Sequence, residues 1–187
     1  MLHLFLNDVQ PVNLAAGGRV LHIAPEPHVA GLMDSIPHLR RLAMDLEPDR
    51  LFQDRGRAFR GDLTRLPVHG NSVSAVFCIH VLEHIDDDSQ ALSEIHRILQ
   101  PGGMAHIMVP IDMKMADTID FGGPHPLVCG HYRGYGADFL DKLRLFKTQY
   151  FIPSEIFSPE DMDRYRLRDV DVVFCCGKEA NCEASAS

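Results

Sequence analysis

The sequence predicts an α/β fold with a mostly parallel sheet, and three observations support this prediction. Short apolar runs alternate with segments of helical periodicity, which is the pattern of repeated strand–helix–strand units. One run, Ser72–Ile79, is apolar almost throughout, as is typical of a strand buried on both faces of a sheet. The length of 187 residues, with 45% hydrophobic and 24% charged residues, fits a single globular domain.

The first half of the chain supplies four strands and a short helix. Arg19–Ala24 is the first strand, because it follows Gly17-Gly18 and ends at Pro25. A short helix is expected over His28–Ser35. The further strands expected in this half are Leu39–Asp45, Arg57–Asp62 and Ser72–Ile79, the last at the centre of the sheet.

The second half begins with a regular helical pattern over Asp88–Gln100. Its apolar residues recur at helical spacing, acids lie at the positive end of the helix dipole, and Pro101-Gly102-Gly103 ends it. Met104–Pro110 is the expected fifth strand. Ile111–Gly136 is then a long irregular connection, and connections of this length in compact domains usually carry function.

The last part of the chain combines a helix with two strands. Ala137–Phe146 has the spacing of an amphipathic helix. Tyr150–Phe157 and Val170–Cys176 are the expected last strands, joined by the charged segment Ser158–Arg168. A hairpin between these strands would add an antiparallel strand to the sheet.

Composition limits where the protein acts and what it contacts. One domain is expected over 1–177, with a lead-in of residues 1–18 and a disordered tail over 178–187. The start has no basic segment and too short an apolar stretch for a secretion signal, so a cytoplasmic location is predicted. A net charge of −8 disfavours nucleic acid, and no apolar run approaches the roughly 20 residues that span a bilayer.

The cysteines indicate neither a disulfide framework nor a metal site. Five are present, an odd number without C-x-x-C spacing: Cys78, Cys129, Cys175, Cys176 and Cys182. Reduced core thiols are therefore predicted. No spacing of His, Cys and carboxylate residues indicates a metal, so no metal site is predicted.

The first strand-to-helix turn, Ala24–His28, is the expected place of a ligand. Ligands of open α/β sheets bind beyond the carboxyl ends of the strands, where the strand order reverses. Asp45 lies 21 residues after Ala24, the spacing at which an acid on strand two accepts both hydrogen bonds of a ribose diol. An Asp followed by Glu-Pro-Asp is also a common loop opening, and both interpretations stay open.

Three motifs in residues 61–110 indicate a family. They are Gly61-Asp62-Leu63 with Leu66-Pro67, then Val81-Leu82-Glu83-His84, and Arg97-Ile98-Leu99 before Pro101-Gly102-Gly103. This segment resembles the class I S-adenosylmethionine-dependent methyltransferases of the methyltransferase type 11 group, and the likeness extends more loosely from Arg19 to Lys178. The resemblance implies a Rossmann-like, seven-stranded, mostly parallel sheet with helices on both faces and a C-terminal antiparallel hairpin strand.

The resemblance also implies the cofactor and its contacts. A subgroup with unknown acceptors is indicated by LHIAPE over Leu21–Glu26, in place of a glycine-rich turn, and by the similarity of His131–Phe139 to H-x-R-x-Y-G-x-D-F. In the family, the acid at the Asp62 position binds the adenine amino group. The residues implied to bind S-adenosylmethionine are Ala24, Pro25, Glu26, Asp45, Leu46, Asp62, Leu63 and His80.

The chain departs from the family pattern at two places. Pro25 and Pro27 remove two backbone N–H donors from the turn. We therefore expect Glu26 to face the cationic end or the ribose of the cofactor; the alternative is that it caps the following helix. NAD is disfavoured by the same carboxylate and by the missing glycines. Ser74 stands where the family has Asp, and we interpret it as a structural substitution that hydrogen-bonds a loop backbone.

Methyl transfer from a sulfonium mainly requires alignment and exclusion of water, and a base only if the acceptor loses a proton. His131 is the first candidate base, with Arg133 nearby to bind an anionic acceptor; both residues could instead fasten the loop. Asp112 is a second candidate or a turn cap. Tyr135 is a third, as part of an acceptor wall or as packing.

Three functions are therefore considered. The first is an S-adenosylmethionine-dependent methyltransferase acting on a small molecule. The second is an inactive, methyltransferase-like binding or regulatory subunit, which the altered turn motivates. The third is a protein methyltransferase, because few residues precede strand one and the site is open unless the loop, a large acceptor or a homodimer partner covers it.

Overall fold

The computed structural model describes residues 18–36, 38–47 and 57–180. Within these ranges the strands are β1 (Arg19–Ile23), β2 (Arg40–Asp45), β3 (Ala58–Arg60), β4 (Val73–Ile79), β5 (Leu99–Met108), β6 (Ile119–His125), β7 (His131–Gly134), β8 (Lys147–Phe151) and β9 (Val173–Gly177). The α-helices are α1 (Pro27–Asp34), α2 (Asp88–Ile98), α3 (Phe139–Lys142), α4 (Pro153–Ile156) and α5 (Pro159–Arg164). Short 3₁₀ turns cover Leu82–His84, Pro126–Val128 and Leu143–Leu145.

Seven strands form one sheet in the order β3-β2-β1-β4-β5-β9-β8. The pairs from β3 to β5 are parallel, whereas β9 is antiparallel to both β5 and β8. The predicted mostly parallel sheet with an antiparallel C-terminal hairpin is therefore confirmed. The strand order reverses between β1 and β4, so a crevice is expected beyond the carboxyl ends of these two strands.

The two faces of the sheet carry separate hydrophobic clusters, each covered by a helix. On β4, Val76 and Cys78 face the cluster that contains the buried side of α2, and Phe77 faces the cluster that contains Val29 and Met33 of α1. Each fully buried apolar side chain of this size contributes roughly 1.5–3 kcal/mol. The predicted helices on both faces are confirmed.

The α2 helix forms because its sequence carries a cap and one continuous apolar face. The apolar face consists of Ala91, Leu92, Ile95 and Ile98, all buried. The helix ends at Ile98 because Leu99 is already extended and begins β5. The predicted end at Gln100 and the predicted start of strand five at Met104 were therefore wrong by two and five residues, since Leu99 already pairs with Val73 of β4, before a register shift that precedes Met104.

The N-cap of α2 supports a first prediction. The Asp87 carboxylate accepts a hydrogen bond from the Gln90 amide at 2.9 Å. We expect Asp87→Ala to lower the free energy of unfolding by about 1 kcal/mol, because one amide of the first turn loses its partner. Urea denaturation measures this loss. The matched control is Asp86→Ala, which removes the neighbouring exposed acid and should change stability by much less; equal losses would contradict the capping role.

The second half of the chain differs most from the sequence-based prediction. Ile111–Gly136 is not irregular throughout, because β6 and β7 form an antiparallel hairpin within it. The helix predicted over Ala137–Phe146 is limited to α3 and one 3₁₀ turn. The strand predicted over Tyr150–Phe157 ends at Phe151, since Pro153 lacks an amide hydrogen for the sheet and begins α4 instead.

Several predictions concern residues outside the described ranges. The lead-in up to residue 17, Cys182 and residues 181–187 of the predicted tail are among them. The limits of the domain stay predictions. Among the described cysteines no disulfide is present; three are buried, as expected for core thiols, and Cys129 is exposed. No helix in the described ranges is long and apolar enough to cross a membrane.

Candidate active site

A crevice of about 430 Å³ lies at the carboxyl edge of the sheet, where the strand order reverses. Its volume lies in the usual range of small-molecule sites. Of the eight residues predicted to bind the cofactor, six line the crevice: Ala24, Asp45, Leu46, Asp62, Leu63 and His80. Pro25 and Glu26 do not line it. These six lie at the crevice because they directly follow their strands, and they are fewer than half of its lining residues.

Asp45 is the last residue of β2 and Asp62 lies two residues after β3. Both carboxylates are held in the same manner. The Asp45 carboxyl is buried, and its Oδ1 accepts a hydrogen bond from the Glu47 amide at 2.9 Å. The Oδ1 of Asp62 accepts from the amide and the hydroxyl of Thr64, both at 2.8 Å. Within the described residues no hydrogen bond reaches the Oδ2 of either acid. Each loop thus orients its carboxylate and leaves one oxygen available as an acceptor.

The turn after β1 opens the crevice by an unusual backbone conformation. Ala24 at the end of β1 has a φ of 45°, and His80 at the end of β4 has a φ of 53°. Both values lie in the left-handed region, which costs a non-glycine residue about 1–3 kcal/mol and is concentrated at functional sites. Since β1 and β4 are neighbours, the two strained residues flank the point where the strand order reverses.

Glu26 occupies the N-cap position of α1, but its side chain makes no capping hydrogen bond. The predicted alternative, in which this carboxylate caps the helix, is therefore wrong. The helix begins with Pro27, which needs no capping partner because it has no amide hydrogen. The Glu26 carboxylate instead acts through space on His80, where it helps to raise the pKa.

Ser74 confirms its predicted structural role. Its hydroxyl donates to the Arg19 carbonyl at 3.0 Å, across the amino ends of β4 and β1. Gly18 is adjacent, and a Cβ at Gly18 would lie 1.9 Å from the Ser74 hydroxyl oxygen. The substitution of Ser for Asp is thus a packing feature at the edge of the sheet opposite the crevice.

His80 lines the crevice, and the buried carboxylate of Glu83 lies next to it, outside the lining. The Nδ1 of His80 lies 3.5 Å from Oε1 of Glu83, which is longer than a good hydrogen bond. Contact with the Glu83 carboxylate raises the pKa of His80, and partial burial opposes this change. Glu83 is 1% exposed, and among the described residues neither of its carboxylate oxygens has a hydrogen-bond partner. The sequence indicated no role for Glu83. The signal that could have revealed a buried acid is its position within the mostly apolar run VLEHI.

The β6–β7 hairpin brings His131 next to His84, beside the crevice. The ring of His131 packs against that of His84, with centroids 4.7 Å apart and planes nearly perpendicular at 89°. His84 itself lines the crevice. Burial lowers the pKa of His131, and the Glu83 carboxylate opposes this change. Glu83, His84 and His131 each offer one possible ligand atom, and these three atoms lie within 4.8 Å of one another.

A buried ionic network fastens the hairpin to the start of α2. The Asp88 carboxylate forms ion pairs with Arg133 Nη1 and with Lys142 Nζ, each at 2.7 Å. The Tyr135 hydroxyl donates to the same carboxylate at 2.9 Å. Arg133 also donates to the carbonyls of Ile85 and Asp86. Arg133 thus does what the alternative interpretation expected of it, which is to hold the long loop in place.

None of the three predicted catalytic residues, His131, Tyr135 and Asp112, lines the crevice. Tyr135 is 1% exposed, and burial together with the Asp88 carboxylate raises the pKa of its hydroxyl. The exposed Asp112 side chain accepts a hydrogen bond from the Lys114 amide at 2.9 Å, in a turn after β5. Sequence reasoning missed Cys129, Glu47 and Ile85, which line the crevice without belonging to a recognised motif.

Comparisons with known proteins agree with this arrangement. Residues 28–107 match the family model described as a methyltransferase domain. A curated Mycolicibacterium smegmatis protein, named as an S-adenosylmethionine-dependent methyltransferase, is 40% identical over 83 residues, which is 44% of this chain. The match spans only 31% of that protein's own length.

Solved structures show the same fold at low sequence identity. A Haloferax volcanii methyltransferase, solved in complex with the Trm112 methyltransferase activator, has a TM-score of 0.64 and 17% identity, over 90% of this chain and 87% of that chain. Haemonchus contortus phosphoethanolamine N-methyltransferase 2, solved with S-adenosyl-L-methionine, has a TM-score of 0.57 and 16% identity, over 86% of this chain and 48% of that chain. The chain thus matches the methyltransferase domain model over residues 28–107, and the solved methyltransferase structures share its fold.

Proposed function

We propose that this chain transfers a methyl group from S-adenosylmethionine to a small-molecule acceptor. The observation that carries the proposal is the pair Asp45 and Asp62, whose carboxylates border one crevice and each keep one oxygen available as an acceptor. A nucleoside presents matching donors in its ribose diol and its adenine amino group. When bound, the cofactor supplies a methyl group activated on a sulfonium.

The crevice suits a cationic nucleoside better than a dinucleotide. Its lining includes Glu47 besides the two Asp residues, and these carboxylates would repel a pyrophosphate. Backbone donors that cradle phosphates are also missing, because Pro25 and Pro27 have no amide hydrogen. Carboxylates favour the ammonium and sulfonium charges of S-adenosylmethionine, and NAD stays disfavoured.

Each lining residue then has a defined task. Asp45 binds the ribose diol, Asp62 binds the adenine amino group, and Leu46 and Leu63 pack against the base. His80, at the end of β4, lies on the side of the amino acid portion. Pro25 and Glu26 contribute by shaping the turn and by the charge of Glu26, since neither lines the crevice.

The acceptor side is formed by the hairpin. His131 is the residue that meets the acceptor, and the lone pair of its neutral imidazole can take up either a proton or a cation. Tyr135 and Asp112 position the hairpin and the turn after β5, through their bonds to Asp88 and to the Lys114 amide. Transfer itself is an in-line displacement, so the chain mainly aligns the reactants and excludes water. A second copy of the chain as a cover for the crevice stays a prediction.

The proposal is tested by binding followed by turnover. Isothermal titration calorimetry with S-adenosylmethionine and its demethylated product should show saturable binding to one site. Incubation with candidate metabolites should then give products heavier by one methyl group. Binding without any methylated product would support the regulatory-subunit alternative, methylation of proteins alone would support the protein-methyltransferase alternative, and absence of binding would refute the proposal.

A further inference from the structure

We propose that Glu83, His84 and His131 form a binding site for a divalent transition-metal ion at the border of the crevice. The 3₁₀ turn after β4 supplies Glu83 and His84, and the first residue of β7 supplies His131. One potential ligand atom of each residue lies within 4.8 Å of the other two. The sequence did not predict this site, because no short spacing links His131 to the other two residues.

The Glu83 carboxylate is the strongest sign that this cluster binds a cation. Its side chain is 1% exposed, and both oxygens lack a hydrogen-bond partner among the described residues. A buried carboxylate without a partner is costly, and such groups are usually paired or bound to a metal. His80 is the nearest cationic group in contact, and its distance of 3.5 Å leaves both Glu83 oxygens unsatisfied.

The cationic Arg133 side chain of the hairpin does not serve Glu83 either. Arg133 is directed to Asp88 at 2.7 Å and to the carbonyls of Ile85 and Asp86. The same network fixes the hairpin against the 3₁₀ turn, so His131 is held beside His84 by bonds that are independent of any metal. The site is thus built in advance on rigid elements, which favours ion binding.

The geometry and chemistry of the donors indicate the class of ion. Two imidazoles and one carboxylate suit Zn²⁺, Mn²⁺, Fe²⁺ or Co²⁺, whereas Mg²⁺ and Ca²⁺ prefer oxygen ligands alone. Ligand atoms bonded at about 2.1 Å to a tetrahedral ion lie about 3.4 Å apart. The three donor atoms lie within 4.8 Å of one another, and rotation of the exposed His84 side chain toward the other two would bring them to this spacing.

The burial of the three residues leaves the ion open on one side. Glu83 is buried, His131 is half-buried and His84 is exposed, so water or an acceptor oxygen can complete the coordination. This arrangement favours a hydroxylated acceptor, an inference that rests on the proposed function. Its O–H bond would break with the proton leaving to water, and its oxygen would bond to the methyl carbon as the methyl–sulfur bond breaks and leaves a thioether. His131 would then be a ligand and not the base.

The test is a metal titration of the untagged, chelator-treated full-length protein in the absence of cofactor. Co²⁺ should bind with a stoichiometry of one and give visible ligand-field absorption, and Zn²⁺ should displace it. Loss of a residue that only hydrogen-bonds a metal ligand typically weakens metal binding about 10- to 100-fold, so loss of a ligand itself in His131→Ala should weaken Co²⁺ binding at least tenfold. His84→Ala should have a similar effect, and it changes an exposed side chain that is unlinked to the core.

His69→Ala is the matched control, since it removes an exposed histidine before β4 at the opposite edge of the sheet. Its Co²⁺ affinity should equal that of the parent. Absence of saturable binding by the parent, or equal affinity of the His131→Ala, His84→Ala and parent proteins, would overturn the proposal. The titration needs neither cofactor nor acceptor, so failure of the metal site and failure of the methyltransferase function are distinguished.

Discussion

Asp45→Ala should weaken the binding of S-adenosylmethionine by about 100-fold. Hydrogen bonds to a charged group contribute about 1.5–3 kcal/mol each, and each 1.4 kcal/mol changes the affinity tenfold. The variant removes the acceptors of the ribose diol from a position that is only 7% exposed, where water replaces them poorly. Calorimetry with S-adenosylmethionine measures the effect directly.

Two further variants separate ligand binding from loop structure. Asp45→Asn retains an oxygen that can accept from the Glu47 amide, so the loop should keep its shape while the affinity falls less. Asp112→Ala removes an exposed acid from the same edge of the sheet but outside the crevice lining, and it should bind like the parent. If Asp45→Ala binds S-adenosylmethionine as tightly as the parent, then Asp45 only orders its loop through the Glu47 amide and does not bind the cofactor.

Asp88→Ala is expected to lower the free energy of unfolding by about 3–5 kcal/mol. Breaking a buried ion pair on one side leaves an uncompensated charge, and this is strongly destabilising. Here two cations lose their partner, and the side chains of Arg133 and Asp88 are 7% and 3% exposed. The Tyr135 hydroxyl loses its acceptor as well. Urea denaturation followed by circular dichroism measures the change in stability.

Asp141→Ala provides the matched control for this experiment. Asp141 pairs with Arg144 at the same distance of 2.7 Å, but these side chains are 63% and 77% exposed. Pairs of this kind contribute about 0–1 kcal/mol, so the control should remain close to the parent. Similar losses in the two variants would show that burial of the Asp88 network is unimportant.

The same network explains why the acceptor side could be predicted only in part. The sequence indicated that His131, Arg133 and Tyr135 share a long loop near the crevice. It did not indicate which of them would be free to contact an acceptor. The sequence pattern indicated a role for the acids before and at the start of α2 only at the positive end of the helix dipole, and it did not link Asp88 to the loop. Arg133 and Tyr135 are both bound to Asp88. A partner more than 40 residues away decided that they hold the hairpin.

The β6–β7 hairpin was missed for a related reason. Residues 119–125 read IDFGGPH, with two glycines, a proline and no alternation of apolar and polar residues. Local sequence therefore favours an irregular loop. The strands form because the hairpin gains its stability from contacts with the 3₁₀ turn and α2, above all through Arg133. Strand propensity alone could not reveal a structure that depends on tertiary contacts.

By itself, the sequence determined the α/β sheet, its central strand and six of the residues that line the crevice. These depend on apolar periodicity and on acids placed directly after strands, which are local properties of the chain. Only the tertiary structure decided the surroundings of the hairpin, where Glu83 lies buried without a hydrogen-bond partner in the described residues and His131 packs on His84. The physical reason is that burial and charge pairing depend on residues that are distant in the chain, and folding alone brings them together.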